Sequence, residues 1–388
     1  MDAVKKFFKD QAQNLSEEAW EAAREIGENP ELGYQEFYAV KVLTHFLSSH
    51  GFEIEPSVAG LETAFIARYR GKRPGPIIAY LAEYDALPGV GHGCGHNLIG
   101  AASAGAAVVL SKSPELCGEV WVIGSPAEET SGAKVILVEK GVFDHVNAAM
   151  MFHPGSQHVP EISTLALDAL EFTFLGRPAH SVAAVQYGVN ALDALIDFFN
   201  NVNTLKKRIP EDARINGIIT EGGTAPNIIP ERAVARFYLR ARRRKVLDEL
   251  QEKVIRCAKE AASKVSAQVA WRKFEFSYDD MLTNRTMAET FAQNLRELGI
   301  KRISPPQVAM GSVDMGNVSR VVPAIHPYLA LGRGMDIPHT RGFSEAALSP
   351  AGEEVLLLAI QSLAFTGWDI LSNPKLLQKI KREFCQSY

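Results

Sequence analysis

An apolar run from Pro76 to Leu81 empties into residues 82–97, which read AEYDALPGVGHGCGHN, and a small-residue stretch, Leu98 to Leu110, follows directly. The run predicts a buried strand, the glycines a tight turn and the small residues a helix. That order restricts the chain to an α/β architecture and puts the turn at the carboxyl end of a strand, where open α/β sheets place their sites. Cys94 and His96 stand two residues apart, so in an extended turn both side chains point to one side. A thiolate and an imidazole on one face are half of a site for a borderline-soft metal ion.

The rest of the composition narrows the setting. A chain of 388 residues exceeds one ordinary core, which predicts two domains. A net charge of -4 gives no reason to expect nucleic acid or an anionic membrane as a partner. The basic run Arg240 to Lys245 reads as a solvated face. Four cysteines without a CxxC pair argue for a reducing, cytoplasmic setting. Residues 1–10 are charged and carry no apolar core of a signal peptide, and no run approaches the ~20 apolar residues expected of a membrane helix.

Periodicity predicts helices over 16–28, with Ser16 as N-cap, and over 35–50. Strands are expected at 63–69, 76–81, 119–124 and 148–152. Three of these deliver Asp85, Cys94 and His96, then Glu128 and Glu129, then His153, from their carboxyl ends. From about residue 162 the pattern changes to strand 163–175, helix 190–207, strands 213–220 and 233–240, helix 245–264 and strand 268–276. This β-α-β-β-α-β order is that of a ferredoxin-like unit. After residue 284 the α/β pattern resumes, with a long helix expected over 345–366. The expected division is 1–165 and 283–388 for one domain and 166–282 for an insertion.

Adjacent carboxylates at a strand end, such as Glu128 and Glu129, repel each other unless a cation or proton lies between them. Successive residues point in different directions, so one can hold a cation while its neighbour acts as a general base. Isolated, this pair reads more simply as a solvated acidic turn. His153 and His339 alone read as hydrogen-bonded histidines, and Cys94 alone as a small buried hydrophobe. His326 is flanked by apolar residues and reads as structural, and of His92 and His96 the spacing to Cys94 favours His96. Together the donors amount to one Cys, three His and one Glu.

Beyond these readings, the chain resembles the M20 metallopeptidases and amidohydrolases, in the branch that uses a cysteine ligand. The matching pieces are Asn29–Gly33, Asp85–Pro88, Gly91–His96, Pro126–Glu129, Gly176–Ser181, Gly222–Pro230, Gly311–Asp314 and Pro338–Thr340, in family order across nearly the whole chain. The form of residues 94–100 looks closest to aminobenzoyl-glutamate hydrolase subunits and to dipeptidases resembling β-alanyl-lysine dipeptidase. The resemblance implies a mixed-sheet, zinc-peptidase-like catalytic domain with an inserted ferredoxin-like dimerisation domain. It implies Cys94, His96, Glu129, His153 and His339 as metal ligands, Glu128 as general base and Asp85 beside the metal centre. His180 would cross to the partner subunit's site to stabilise an oxyanion. Asn227, Arg240, Gly311 and Ser312 would meet the substrate. Glu83 stands where many members have a ligand histidine, and Asn97 where the wider branch has Asp.

The implied activity is metal-dependent hydrolysis of an amide in an N-acyl or N-aroyl amino acid, or in a small dipeptide with a free carboxylate. Zinc is the first choice of ion, one or two per site, with manganese, cobalt or nickel also suited. The implied assembly is a homodimer through residues 166–282. Two other readings stand beside this one: a non-catalytic or regulatory member of a hetero-oligomeric amidohydrolase, and a hydrolase with Cys94 as nucleophile.

Overall fold

The computed structural model describes residues 2–179, 185–309, 311–332 and 337–386. It divides into two compact units, one of residues 1–163, 281–309 and 314–388, the other of residues 164–280 and 310–313.

In the first unit helix α1 spans Ala3–Glu28, and α2 spans Phe37–Ser49. Helix α1 begins thirteen residues before the expected Ser16 start. Asp2 caps it by accepting from the Lys5 N–H, and Phe8, Ala12, Leu15, Ala19, Ala23 and Ile26 line one buried face at helical spacing. Ser16 is interior, its hydroxyl bonded to the Gln13 carbonyl. Strands β1 (Glu53–Pro56), β2 (Phe65–Arg70) and β3 (Arg73–Ala82) precede α3 (His96–Ser111). Helix α3 is buried along its whole length, which accounts for its Ala, Gly and Ser. Strands β4 (Cys117–Gly124) and β5 (Ala148–Met150) flank α4 (Ala133–Glu139). Two short strands, β6 (His153–Gly155) and β7 (Ile162–Ser163), close this part.

The second unit is built from β8 (Ala166–Leu175), α5 (Ala191–Lys206), β9 (Arg214–Glu221), β10 (Arg232–Ala241), α6 (Arg244–Lys264) and β11 (Gln268–Lys273). Its sheet runs β11-β8-β10-β9 with every neighbour antiparallel, the ferredoxin-like arrangement. Phe172 and Phe174 of β8, Phe198 of α5 and Phe237 of β10 form its core with Leu247, Leu250 and Val254 of α6. Asn190 caps α5 by accepting from the N–H groups of Leu192 and Asp193.

The chain then returns to the first unit with α7 (Arg285–Glu297), β12 (Gln307–Val308), α8 (Met315–Val318), β13 (Ala324–Ile325) and β14 (Tyr328–Ala330). The expected long helix is two, α9 (Arg341–Ala347) and α10 (Pro350–Ser372), and α11 (Pro374–Gln386) follows. Ser349 caps α10 with Pro350 in its first turn, where a missing N–H costs nothing. Contrary to the expectation from apolar runs, α10 is long and apolar enough to cross a membrane. Most of it is buried inside the protein, and its Ile360 packs against Gly105 of α3 at a distance that leaves no room for a Cβ. The main sheet is mixed, in the order β1-β2-β4-β3-β5-β13, with β4, β3, β5 and β13 parallel. Register pairs Ala82 with Gly124, so β3 and β4 end side by side and their loops leave from one edge.

Candidate metal centre

Each loop at that edge is shaped locally. Gly95 turns the chain into α3 at φ 71°, and a Cβ there would come within 2.6 Å of Pro154. Cys94 and His96 flank it, and both are buried. After β4, Ala127 takes a left-handed φ of 58°, a strained value for a residue with a Cβ. Its N–H donates to Glu36 Oε1 at 2.8 Å, its carbonyl accepts from Ser131 and Gly132, and the turn so formed presents Glu128 and Glu129. His153 opens β6 with Nδ1 2.7 Å from the Pro154 carbonyl, which leaves Nε2 to face outward as a donor atom. His339, also left-handed at φ 66°, is tied by its N–H to the Gly93 carbonyl at 2.9 Å.

Donor atoms lie within 4.8 Å of one another inside each of three overlapping groups: Cys94, His96 and His153; Cys94, Glu129 and His339; and His96, Glu128 and Glu129. Glu129 straddles two imidazoles, with Oε1 3.8 Å from His96 Nε2 and Oε2 3.8 Å from His339 Nε2. Asp85 organises both of its neighbours. One oxygen meets His96 Nδ1 at 2.9 Å, and the other accepts the Glu129 N–H at 2.9 Å. Among the described residues, His96 Nε2 and Glu129 Oε1 are buried without a hydrogen-bond partner. Buried polar atoms left unpaired are costly, and here they belong to the atoms a metal would take. The donor set, a thiolate with imidazoles and carboxylates, fits a borderline-soft divalent ion.

Comparison with known proteins identifies the family. Residues 166–266 match the peptidase dimerisation domain of the M20 family. The chain is 36% identical to human Xaa-Arg dipeptidase, over 93% of this chain and 87% of the relative. The chain belongs to the M20 peptidase family. It is also 31% identical to a component of p-aminobenzoyl-glutamate hydrolase from Escherichia coli (strain K12), over 80% of this chain and 68% of that one. The solved structure of a Bacillus subtilis dinuclear metal-binding peptidase from the M20 family shares the fold, with a TM-score of 0.71 at 21% identity over 95% of this chain and 99% of that one.

The charge balance of this M20 centre is lopsided. Glu83, Asp85 and Asp314 are buried and Glu128 and Glu129 nearly so, against one buried lysine, Lys134. Burial, then Glu83, Asp314 and Glu129, push the Glu128 carboxyl well above its ordinary range. Burial and then Glu129 push the Cys94 thiol up, the opposite of what a cysteine nucleophile needs. Burial alone would depress His96, but Asp85 and Glu83 outweigh it and hold the imidazole well above its usual value. An incoming cation relieves all three.

Sequence reading did not find the groups behind the ligands. Glu83, expected only as a departure from a ligand histidine, is bonded to Lys134 Nζ at 2.6 Å, and the same ammonium reaches Asp314 at 2.7 Å. Against the pull of burial, Lys134 and then His96 carry the Glu83 carboxyl down to about 2. Glu36, fully buried, braces the Ala127 turn. Tyr328 stacks on His153 at 4.8 Å, and His326 meets the same ring edge-on at 5.6 Å, with both its nitrogens buried and unpartnered among the described residues. His92 is buried and joins none of the donor groups among the described residues.

None of the remaining expected residues joins these donor groups among the described residues. His180 is outside the described residues. Asn227, Arg240, Gly311 and Ser312 belong to the second unit. Asn227 sits in an exposed turn. The Arg240 guanidinium lies 5.3 Å from the Tyr238 ring and makes no ion pair with another described residue. Gly311 accepts the Leu165 N–H at 2.9 Å, and the Ser312 hydroxyl is buried without a partner among the described residues.

Proposed function

We propose that this chain is a metal-dependent hydrolase of amide bonds in N-acyl or N-aroyl amino acids, or in small dipeptides with a free carboxylate. The observation that carries this reading is that Cys94, His96, Glu129, His153 and His339 fall in overlapping donor groups, in which His96 Nε2 and Glu129 Oε1 are buried without a hydrogen-bond partner among the described residues. Two relatives support the substrate class by their names, one a dipeptidase and the other a hydrolase of p-aminobenzoyl-glutamate.

Cys94, His96, Glu129, His153 and His339 would hold one or two divalent ions, zinc first by the softness of the thiolate. The bound metal would supply Lewis-acid chemistry, acidifying the attacking water and polarising the amide carbonyl. Glu128 accepts the proton of that water and passes it to the leaving amine, which must be protonated to depart. Asp85 holds His96 as the tautomer with Nε2 free and fixes the backbone of Glu129.

The resemblance assigns Asn227, Arg240, Gly311 and Ser312 to the substrate, and the lack of a carboxylate partner for Arg240 among the described residues supports a role in reading the substrate carboxylate. It assigns His180 of the partner subunit to the oxyanion. A homodimer through residues 166–282 is supported by β9, an edge strand that exposes Ile218 and Ile219, and by Ile196 of α5. Four free thiols support a reducing, cytoplasmic setting.

The test is turnover of a panel of N-acyl amino acids and dipeptides. Activity should vanish on chelation and return with zinc. Glu128→Gln should keep its metal and lose roughly 10²–10⁴ in kcat. Cleavage that survives chelation, or normal turnover by Glu128→Gln, contradicts the proposal.

A further inference from the structure

Lys134 stands in the first turn of α4 and is fully buried, an unusual place for a lysine unless its charge is matched. Its ammonium donates to Glu83 Oε1 at 2.6 Å and to Asp314 Oδ1 at 2.7 Å, and its backbone N–H donates to Asp314 Oδ2 at 3.1 Å. Three separate stretches of the chain thus meet at one cation: the end of β3, the start of α4 and the residue before α8.

The other oxygen of Glu83 faces the metal centre. Oε2 is 3.4 Å from His96 Nε2, the atom left free for a metal. Glu129 Oε1 is 3.8 Å from that same nitrogen. By distance alone, Glu83 is placed at least as well as an assigned ligand. What separates them is Lys134, which holds one oxygen of Glu83 and has no counterpart on Glu129 among the described residues.

We propose that Lys134 is a positioning residue that restrains Glu83 beside the metal centre and keeps it out of the donor set. The inference rests on the metal reading above. A carboxylate free to rotate would offer both oxygens to a divalent ion and raise the coordination number. Held by the ammonium, it contributes negative charge beside His96 Nε2 and leaves a coordination position for water and substrate.

The experiment compares wild type, Lys134→Met, Lys134→Arg, Glu83→Gln and the double variant Lys134→Met/Glu83→Gln. Each is loaded with cobalt(II), its d–d absorption is recorded, and its metal affinity is measured by competition with a chromophoric chelator. Lys134→Met should bind metal at least about tenfold more tightly, the scale on which surrounding groups shift metal affinity. Its absorption should weaken, as it does when cobalt gains a ligand. The double variant should return both quantities toward wild type, and Lys134→Arg should keep them. An unchanged affinity in Lys134→Met overturns the proposal, and so does a tighter affinity with an unchanged spectrum, which is a charge effect alone. Should Lys134→Met fail to fold by circular dichroism, Glu83→Gln decides. It should keep the wild-type spectrum, and a changed spectrum means that Glu83 already ligates. Wild-type protein that takes up no cobalt removes the metal reading itself and this inference with it.

Discussion

Asp85 shows how one residue sets the chemistry of several. Its two oxygens fix the His96 ring and the Glu129 backbone at 2.9 Å each, so an imidazole from one loop and a carboxylate from another are aimed by a shared anchor. The cost of this crowding appears in the proton affinities. His96 is held up by Asp85 and Glu83 against burial, and Cys94 is raised by burial and Glu129. Both therefore hold a proton more tightly than the free side chain does when no cation is present, and a proton so held must leave for the group to ligate. The sign follows directly: metal binding releases protons, and affinity falls as pH falls. Zinc titration calorimetry in two buffers of different ionisation enthalpy should show net proton release. Heats independent of the buffer would contradict it.

At the scale of elements, the site depends on turns that only certain residues allow. Gly95 is left-handed and abuts Pro154 of β6, so the start of α3 is locked against the strand that carries His153. Gly95→Ala should cost about 1–2 kcal/mol for the left-handed backbone, plus the clash. It should also weaken zinc binding by displacing Cys94 and His96. Denaturant midpoints and zinc affinity check both, and unchanged zinc affinity would mean that the turn does not position its neighbours. The ligand-bearing loops were legible in sequence because a parallel strand ending in a Gly-rich or acidic segment marks a sheet edge. The bracing was not. Glu36 lies 91 residues from the Ala127 N–H it accepts, and Lys134 lies 180 residues from Asp314. No periodicity reports a pairing over that distance. The start of α1 was missed because its buried face before residue 16 is sparse, and the break before α10 because Pro350 is tolerated in a first turn.

For the whole molecule, the structure has a mixed-sheet unit and a ferredoxin-like one, as the strand and helix order predicts; the sequence pattern changes character from about residue 162 and resumes after 284, and the second compact unit is residues 164–280 with 310–313. Residues 166–266 match a dimerisation domain, and β9, at one edge of that unit's sheet, carries Ile218, which is 63% exposed. Ile218→Lys should move a dimer toward monomer in sedimentation velocity while leaving the fold intact, as charges on an edge strand block pairing. A dimer of wild-type strength in that variant would put the interface elsewhere. The central claim remains spatial: side chains between positions 94 and 339 share a cation. X-ray absorption of the zinc-loaded protein tests it most directly. The expected spectrum contains a sulfur shell at about 2.3 Å with nitrogen and oxygen at about 2.0–2.2 Å, and the sulfur shell disappears in Cys94→Ser. Zinc surrounded by nitrogen and oxygen alone in the wild-type protein would contradict the account.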